Sequence, residues 1–203
     1  MADKSLIKAY DNIPYDMKKE NRWLLYKIQS RNGKNTKIPL QANGSFAKSN
    51  DKSTWNSFEI CFNALKRNIG DGLGFMLGDG YIGIDIDNVT DDIFEYFSDN
   101  EASSMTADFL RNISTYAEIS PSGTGLHFIG KGQVPGMRKR YKNLEIYDKD
   151  RFFTVTGNVI KDRERNRITN IENELKPLYE KYMPKLQAIS SKENFRQRNT
   201  NHL

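Results

Sequence analysis

Two aspartates carry the most specific chemical signal in this chain. They stand in Gly80-Tyr81-Ile82-Gly83-Ile84-Asp85-Ile86-Asp87-Asn88, an apolar run closed by Asn that reads as a short buried β-strand. Side chains two apart on a strand share a face, so the carboxylates of Asp85 and Asp87 emerge together, roughly 6–7 Å apart at the backbone. Like charges held that close and half-buried repel unless a cation lies between them. This points to a divalent metal site; the alternative is a strand end whose acids face water.

A second candidate is the loop Ser120-Pro121-Ser122-Gly123-Thr124-Gly125, followed by Leu126-His127. Two glycines and small hydroxyl residues let backbone N–H groups converge on an anion, with the hydroxyls as further donors. A triphosphate suits such a nest, and His127 at the start of the next strand is placed to donate to a phosphate oxygen. The plainer reading is a turn beside a half-buried histidine. The chain has two histidines, the other being His202, which argues against a two-His metal site and against relaxase-type nicking.

The third candidate is Glu145 to Gly157. Glu145 on a strand is a third carboxylate for Asp85 and Asp87. Hard cations such as Mg²⁺ take oxygen ligands and keep waters for substrate phosphates, and a pair of them about 3.5–4 Å apart activates a hydroxyl and stabilises leaving pyrophosphate. Arg151 suits bidentate phosphate binding. The alternative is a charged hairpin in which Glu145 and Arg151 pair across strands. Basic residues Arg138, Lys139, Arg140 and Lys142, with Tyr141 among them, suit a nucleic-acid backbone. Such runs are also common in solvated loops. Lys37 is a weaker phosphate contact.

These residues need elements to hold them. Trp23 to Ile28 and Thr36 to Leu40 read as strands around an Asn32-Gly33 turn, a hairpin pattern. Phe58, Cys61, Phe62 and Leu65 mark one helix and Met105, Phe109 and Ile113 another, with an acidic helical stretch over Asp91 to Phe97. Leu73–Leu77 and Tyr81–Ile86 are strands joined by Gly78-Asp79-Gly80. Tyr116–Ile119, Leu126–Ile129, Leu144–Tyr147 and Phe152–Thr156 complete the set. Beyond Gly157 the chain turns charged and polar, and a helix is expected to start near Lys176-Pro177, with Pro in its first turn. The organisation expected is a core over 1–160, a helical extension over 161–189 and a disordered tail over 190–203.

At 203 residues and a formal charge of +5 the chain supports one sizeable core and tolerates, without requiring, a nucleic-acid partner. A single cysteine, Cys61, excludes internal disulfides and a Cys-rich zinc site within the chain. No run of 18 apolar residues occurs, so a cytoplasmic protein without membrane contact is expected.

In order, Asp85/Asp87, Ser122–His127 and Glu145 resemble the three motifs of primase-polymerases of the archaeo-eukaryotic primase superfamily. The likeness is greatest to the branch carried by phages, plasmids and mobile elements. Trp23, Lys37 with Pro39, Ser53-Thr54-Trp55 and the run Arg151 to Gly157 extend the resemblance over residues 10–160. It implies an α+β fold: an RRM-like antiparallel or mixed sheet packed with helices, plus an N-terminal α/β flanking unit. It also implies Mg²⁺- or Mn²⁺-dependent transfer of nucleotides from dNTP or NTP to a 3′-hydroxyl on a DNA template, as a polymerase with possible primase activity. Asp85, Asp87 and Glu145 would hold the ions, with Asp148 competing for the third place. Ser122, Gly123, Thr124, His127 and Arg151 would face the triphosphate, and Tyr147 or Phe152 the sugar. Primer and template DNA, and a helicase domain or separate helicase, are the partners implied. No Gly-x-x-x-x-Gly-Lys-[Ser/Thr] loop is present, so no helicase motor lies in this chain. The competing functions are a non-catalytic DNA-binding replication-initiation module and a metal-dependent nuclease.

Overall fold

A computed structural model describes residues 4–31 and 33–184. The expected tail over 190–203, and Asn32 of the first turn, lie outside the described residues. The strands are β1 (Trp23–Arg31), β2 (Lys34–Leu40), β3 (Gly72–Met76), β4 (Tyr81–Ile86), β5 (Tyr116–Ile119), β6 (Leu126–Lys131), β7 (Arg140–Tyr141), β8 (Leu144–Tyr147) and β9 (Phe152–Val155). The α-helices are α1 (Lys4–Ala9), α2 (Tyr15–Lys18), α3 (Phe58–Lys66), α4 (Thr90–Ser98), α5 (Met105–Asn112) and α6 (Glu172–Tyr182).

The strands form two antiparallel sheets, ordered β2-β1-β3-β9 and β5-β6-β4-β8-β7. The class is α+β, as expected. The flanking unit, however, is not built from N-terminal strands alone, because β9 closes the first sheet beside β3, pairing Leu73 with Val155. The Gly78–Gly80 connection leads from the first sheet to the second, and the turn after Tyr147 leads back. Gly78, Asp79 and Gly80 all have positive φ, which turns the chain sharply out of β3.

Alternation along the second sheet separates two cores. Ile82, Ile84, Ile86, Phe128 and Ile146 face α5 and α6, while Tyr81, Tyr116 and Ile129 face the first sheet with Trp23, Phe75 and Phe153. Helix α3 forms where the Phe58/Cys61/Phe62/Leu65 spacing predicts, with the Ser57 side chain accepting from Ile60 N–H as its N-cap. The last helix departs from expectation: it starts at Glu172, so Pro177 lies inside it rather than in its first turn. An interior proline costs about 3 kcal/mol. Leu175, Leu178 and Tyr179, all buried, offset this at about 1.5–3 kcal/mol for each large side chain. Arg165, in the polar segment beyond Gly157, is also buried. It donates to the Leu110 and Ile113 carbonyls at the end of α5 and pairs with Asp162.

Candidate active site

Strand register builds the site. Asp85 lies directly opposite His127 on one side and Glu145 on the other; Glu118 lies opposite His127, and Arg140 opposite Glu145. Directly opposed residues share a face, so Glu118, His127, Asp85, Glu145 and Arg140 form one row across the five strands of the second sheet. The middle of the row, His127, Asp85 and Glu145, opens onto a cavity of about 370 Å³ that is also lined by Lys37, Tyr147, Arg151, Phe152 and Thr154. A larger cleft, about 820 Å³, runs between residues 11–18 and 159–166 and contains none of the candidate residues. Volume therefore does not pick out the site; the row of ionisable groups does.

The electrostatics of the row are uneven. Burial pushes the Asp85 carboxyl above its ordinary value; His127 and Lys37 oppose this, while Asp87 and Glu145 reinforce it. Asp85 Oδ1 is buried with no hydrogen-bond partner, and the nearest positive group is His127 Nε2 at 3.5 Å. Burial disfavours the His127 imidazolium, but the hydrogen bond from Nδ1 to Glu118 and the charges of Asp85 and Glu118 outweigh it, leaving the pKa raised. Lys37, which donates to Thr154 Oγ1 at 3.3 Å, titrates below its ordinary value because it is desolvated, a shift countered in part by Asp85, Asp87 and Glu118. Phe153 lies against His127 with ring centroids 5.3 Å apart. Gly83 makes room for it, since a Cβ there would come within 2.7 Å of the Phe153 ring.

The third carboxylate has neighbours of its own. Glu145 is bound by Arg140 Nε at 3.1 Å and Arg151 Nη2 at 3.2 Å. The pairing with Arg151 exists, but not across a hairpin ladder, because Arg151 precedes a strand of the other sheet. Asp148 instead accepts from Val134 N–H and Lys139 Nζ and does not line the cavity. The backbone of Asp87 is clamped to Asn143 in both directions. Among the described residues no three His, Cys, Asp or Glu side chains are gathered as a ready metal cage. The orphan oxygen of Asp85 nevertheless suits a hard cation; Asp87, whose charge acts on Asp85, does not line the cavity, and Glu145 would have to exchange its guanidinium partners to join them.

The loop from Ser120 to Gly125 is the turn between β5 and β6. The N–H groups of its last three residues are used within the turn: Gly123 donates to Ser120 O, Thr124 to Ser122 Oγ and Gly125 to Ser120 Oγ. Ser120, Pro121 and Gly123 line a separate cavity of about 550 Å³, and Ser122, Gly123 and Thr124 are exposed. The structure therefore brings together Asp85, His127, Glu145, Arg151, Tyr147, Phe152 and Lys37, and leaves the hydroxyls of this loop outside the cavity. Of the basic segment, Arg140 joins the row, Lys139 pairs with Asp148, and Arg138 and Lys142 lie against Tyr141.

No protein-family model matches the chain. Among curated proteins it is similar to the DNA primase-polymerase of Nitratiruptor phage NrS-1, 32% identical over 152 residues, 70% of this chain. The chain is related to a phage DNA primase-polymerase. The resemblance carried by the ordered motifs thus reappears as overall similarity. The chain spans about one fifth of that relative's length, 20% of it. No helix among the described residues is long and apolar enough to cross a membrane.

Sequence reasoning missed Glu118, which belongs to no motif. It also gave Thr154, Thr156 and Gly157 no individual roles within the Phe-Phe-Thr-Val-Thr-Gly run. Thr154 receives Lys37, and the N–H groups of Thr156 and Gly157 donate to Glu118. What reveals Glu118 is strand register, which places it opposite His127 and is not written in the local sequence.

Proposed function

We propose that the chain is a nucleotidyltransferase domain that extends a DNA primer on a template, using a divalent cation and nucleoside triphosphates, in the replication of a phage, plasmid or other mobile element. The observation that carries this is the buried, partnerless Asp85 Oδ1, placed beside His127 in the wall of a cavity that Lys37 and Arg151 also line. Asp85 and Asp87 would hold Mg²⁺ or Mn²⁺, with Glu145 as the third ligand. The bound cation would supply charge stabilisation at the transferring phosphoryl group. His127 Nε2, Lys37 and Arg151, which line the cavity, would meet the triphosphate and fix its orientation. Tyr147, with the Arg151 guanidinium 4.5 Å from its ring centre, and Phe152 wall the space left for the sugar. Arg138, Lys139, Arg140 and Lys142 flank the site on the side where a polyanionic strand would approach. A helicase would act from outside these residues.

The test is primer extension with a labelled primer, template, dNTPs and Mg²⁺ or Mn²⁺, comparing the wild type with Asp85→Ala/Asp87→Ala. Extension that requires the metal and both carboxylates is expected. DNA binding with no metal-dependent reaction would replace the proposal with a replication-initiation module, and shortening of the primer with a nuclease.

A further inference from the structure

Glu118 is fully buried and faces His127 directly from β5. Its two oxygens receive Tyr116 Oη, the N–H groups of Thr156 and Gly157, and His127 Nδ1 at 3.3 Å. A carboxylate only accepts, so Nδ1 carries the proton of that contact. The opposite edge of the ring, Nε2, is thereby directed toward Asp85 Oδ1 and the cavity. Phe153 packs against the imidazole at a tilt of 54°, with ring centroids 5.3 Å apart, so the ring is held by a hydrogen bond at one edge and by an aromatic neighbour.

We propose that Glu118 is a positioning residue for nucleotide binding: it grips His127 by Nδ1 so that Nε2 meets a phosphate oxygen of a nucleoside triphosphate. This rests on reading the cavity as a nucleotide site. The chemistry of the contacts explains why a carboxylate stands here rather than an amide. Four donors converge on this side chain, and an acceptor-only group receives all of them. A Gln oxygen could keep Thr156 and Gly157, but its NH₂ would then confront Nδ1–H and force the imidazole to give up that proton or turn. A residue that merely tied down the end of β9 would not need to be charged.

The full chain contains two imidazoles, His127 and His202, so long-range ¹H–¹⁵N spectra resolve both, with His127→Asn assigning them. The wild type is expected to show a protonated Nδ1 on His127, and Glu118→Gln to lose that pattern with its thermal midpoint within a few degrees. Calorimetric titration with dATP–Mg²⁺ is expected to give about tenfold weaker binding for Glu118→Gln, roughly one charge-assisted hydrogen bond. Adding Glu118→Gln to His127→Asn should weaken binding no further. A bare Nδ1 in the wild type overturns the proposal without any variant. So does an unchanged imidazole in Glu118→Gln, or in Glu118→Asp should the first not fold. Effects that multiply in the double variant also overturn it, leaving Glu118 as a tie for β9. Saturable dATP binding with these couplings but no primer extension would refute the polymerase reading and leave the positioning role standing.

Discussion

Consider the substitution Asp85→Asn. Asp85 Oδ1 is buried without a partner, and burial is the leading reason its carboxyl titrates above the ordinary 3.8. A carboxyl whose folded pKa is raised binds its proton more tightly in the folded chain. Stability therefore falls as pH rises from the unfolded value through the folded one, and the loss is complete above it. At pH 7 ionised Asp85 thus destabilises the protein. An unsatisfied buried acceptor costs about 1–3 kcal/mol. The nearby His127 and the 26% exposure of the side chain reduce this to the lower part of the range, about 1–2 kcal/mol. At ~2–4 °C per kcal/mol for a chain of this size, Asp85→Asn raises Tm by about 2–8 °C in EDTA. Manganese should reverse the order. A cation present at about 100 times its Kd stabilises the folded wild type by about 2.7 kcal/mol, or ~5–11 °C, and leaves the variant nearly unmoved. Scanning calorimetry in EDTA and in millimolar Mn²⁺ reads both effects, alongside loss of extension. A variant less stable than wild type in EDTA would refute the argument from desolvation, and equal Mn²⁺ shifts in both proteins would refute the metal assignment.

Lys37→Ala is expected to raise KM for the incoming nucleotide about tenfold or more with kcat little changed, because a charged contact made equally in ground and transition states is lost. Steady-state extension kinetics measure it, and a weakened DNA Kd with unaltered nucleotide KM would make Lys37 a strand contact instead. Arg165→Met leaves the Leu110 and Ile113 carbonyls buried without that donor and Asp162 with Tyr96 and Arg163 as its partners, at a cost of about 3–5 kcal/mol, so a Tm lower by roughly 10 °C is expected. Burial raises the Asp162 pKa, but Arg165 and its other partners outweigh this and the net shift is downward. That stability is present above 3.8 and is lost as pH falls through the depressed value. Acid-unfolding curves should therefore show a low-pH step in the wild type that is smaller in Arg165→Met, where Tyr96 and Arg163 remain beside Asp162.

The strands bearing Asp85, His127 and Glu145 were legible because each is a short apolar run with one polar interruption, a local pattern. Their alignment into a row was not, since register depends on partners far away in sequence. Glu118 shows this most sharply. In Tyr116-Ala117-Glu118-Ile119 it looks like the solvent-facing residue of an edge strand, and it is buried only because Thr156, Gly157 and His127 converge on it. Arg165 was hidden for a similar reason: a charged segment reads as surface, and nothing local reveals that the end of α5 lies beneath it. The Ser120–Gly125 loop went the other way. Its glycines and hydroxyls suggest an anion nest, but the same residues satisfy one another in a hairpin turn.

The closing of the first sheet by β9 also determines when the protein can become whole. β3 stays an open edge until residues 152–155 have been made, and an exposed edge invites pairing with other chains. The same stretch brings Phe152, Phe153 and Thr154 to the cavity wall and Thr156 and Gly157 to Glu118, so the edge is capped and the pocket finished in one late, long-range event. A chain interrupted before this point would hold a sticky strand and an unfinished pocket together. Folding of this architecture is thus cooperative across both sheets, with the finished pocket arriving last.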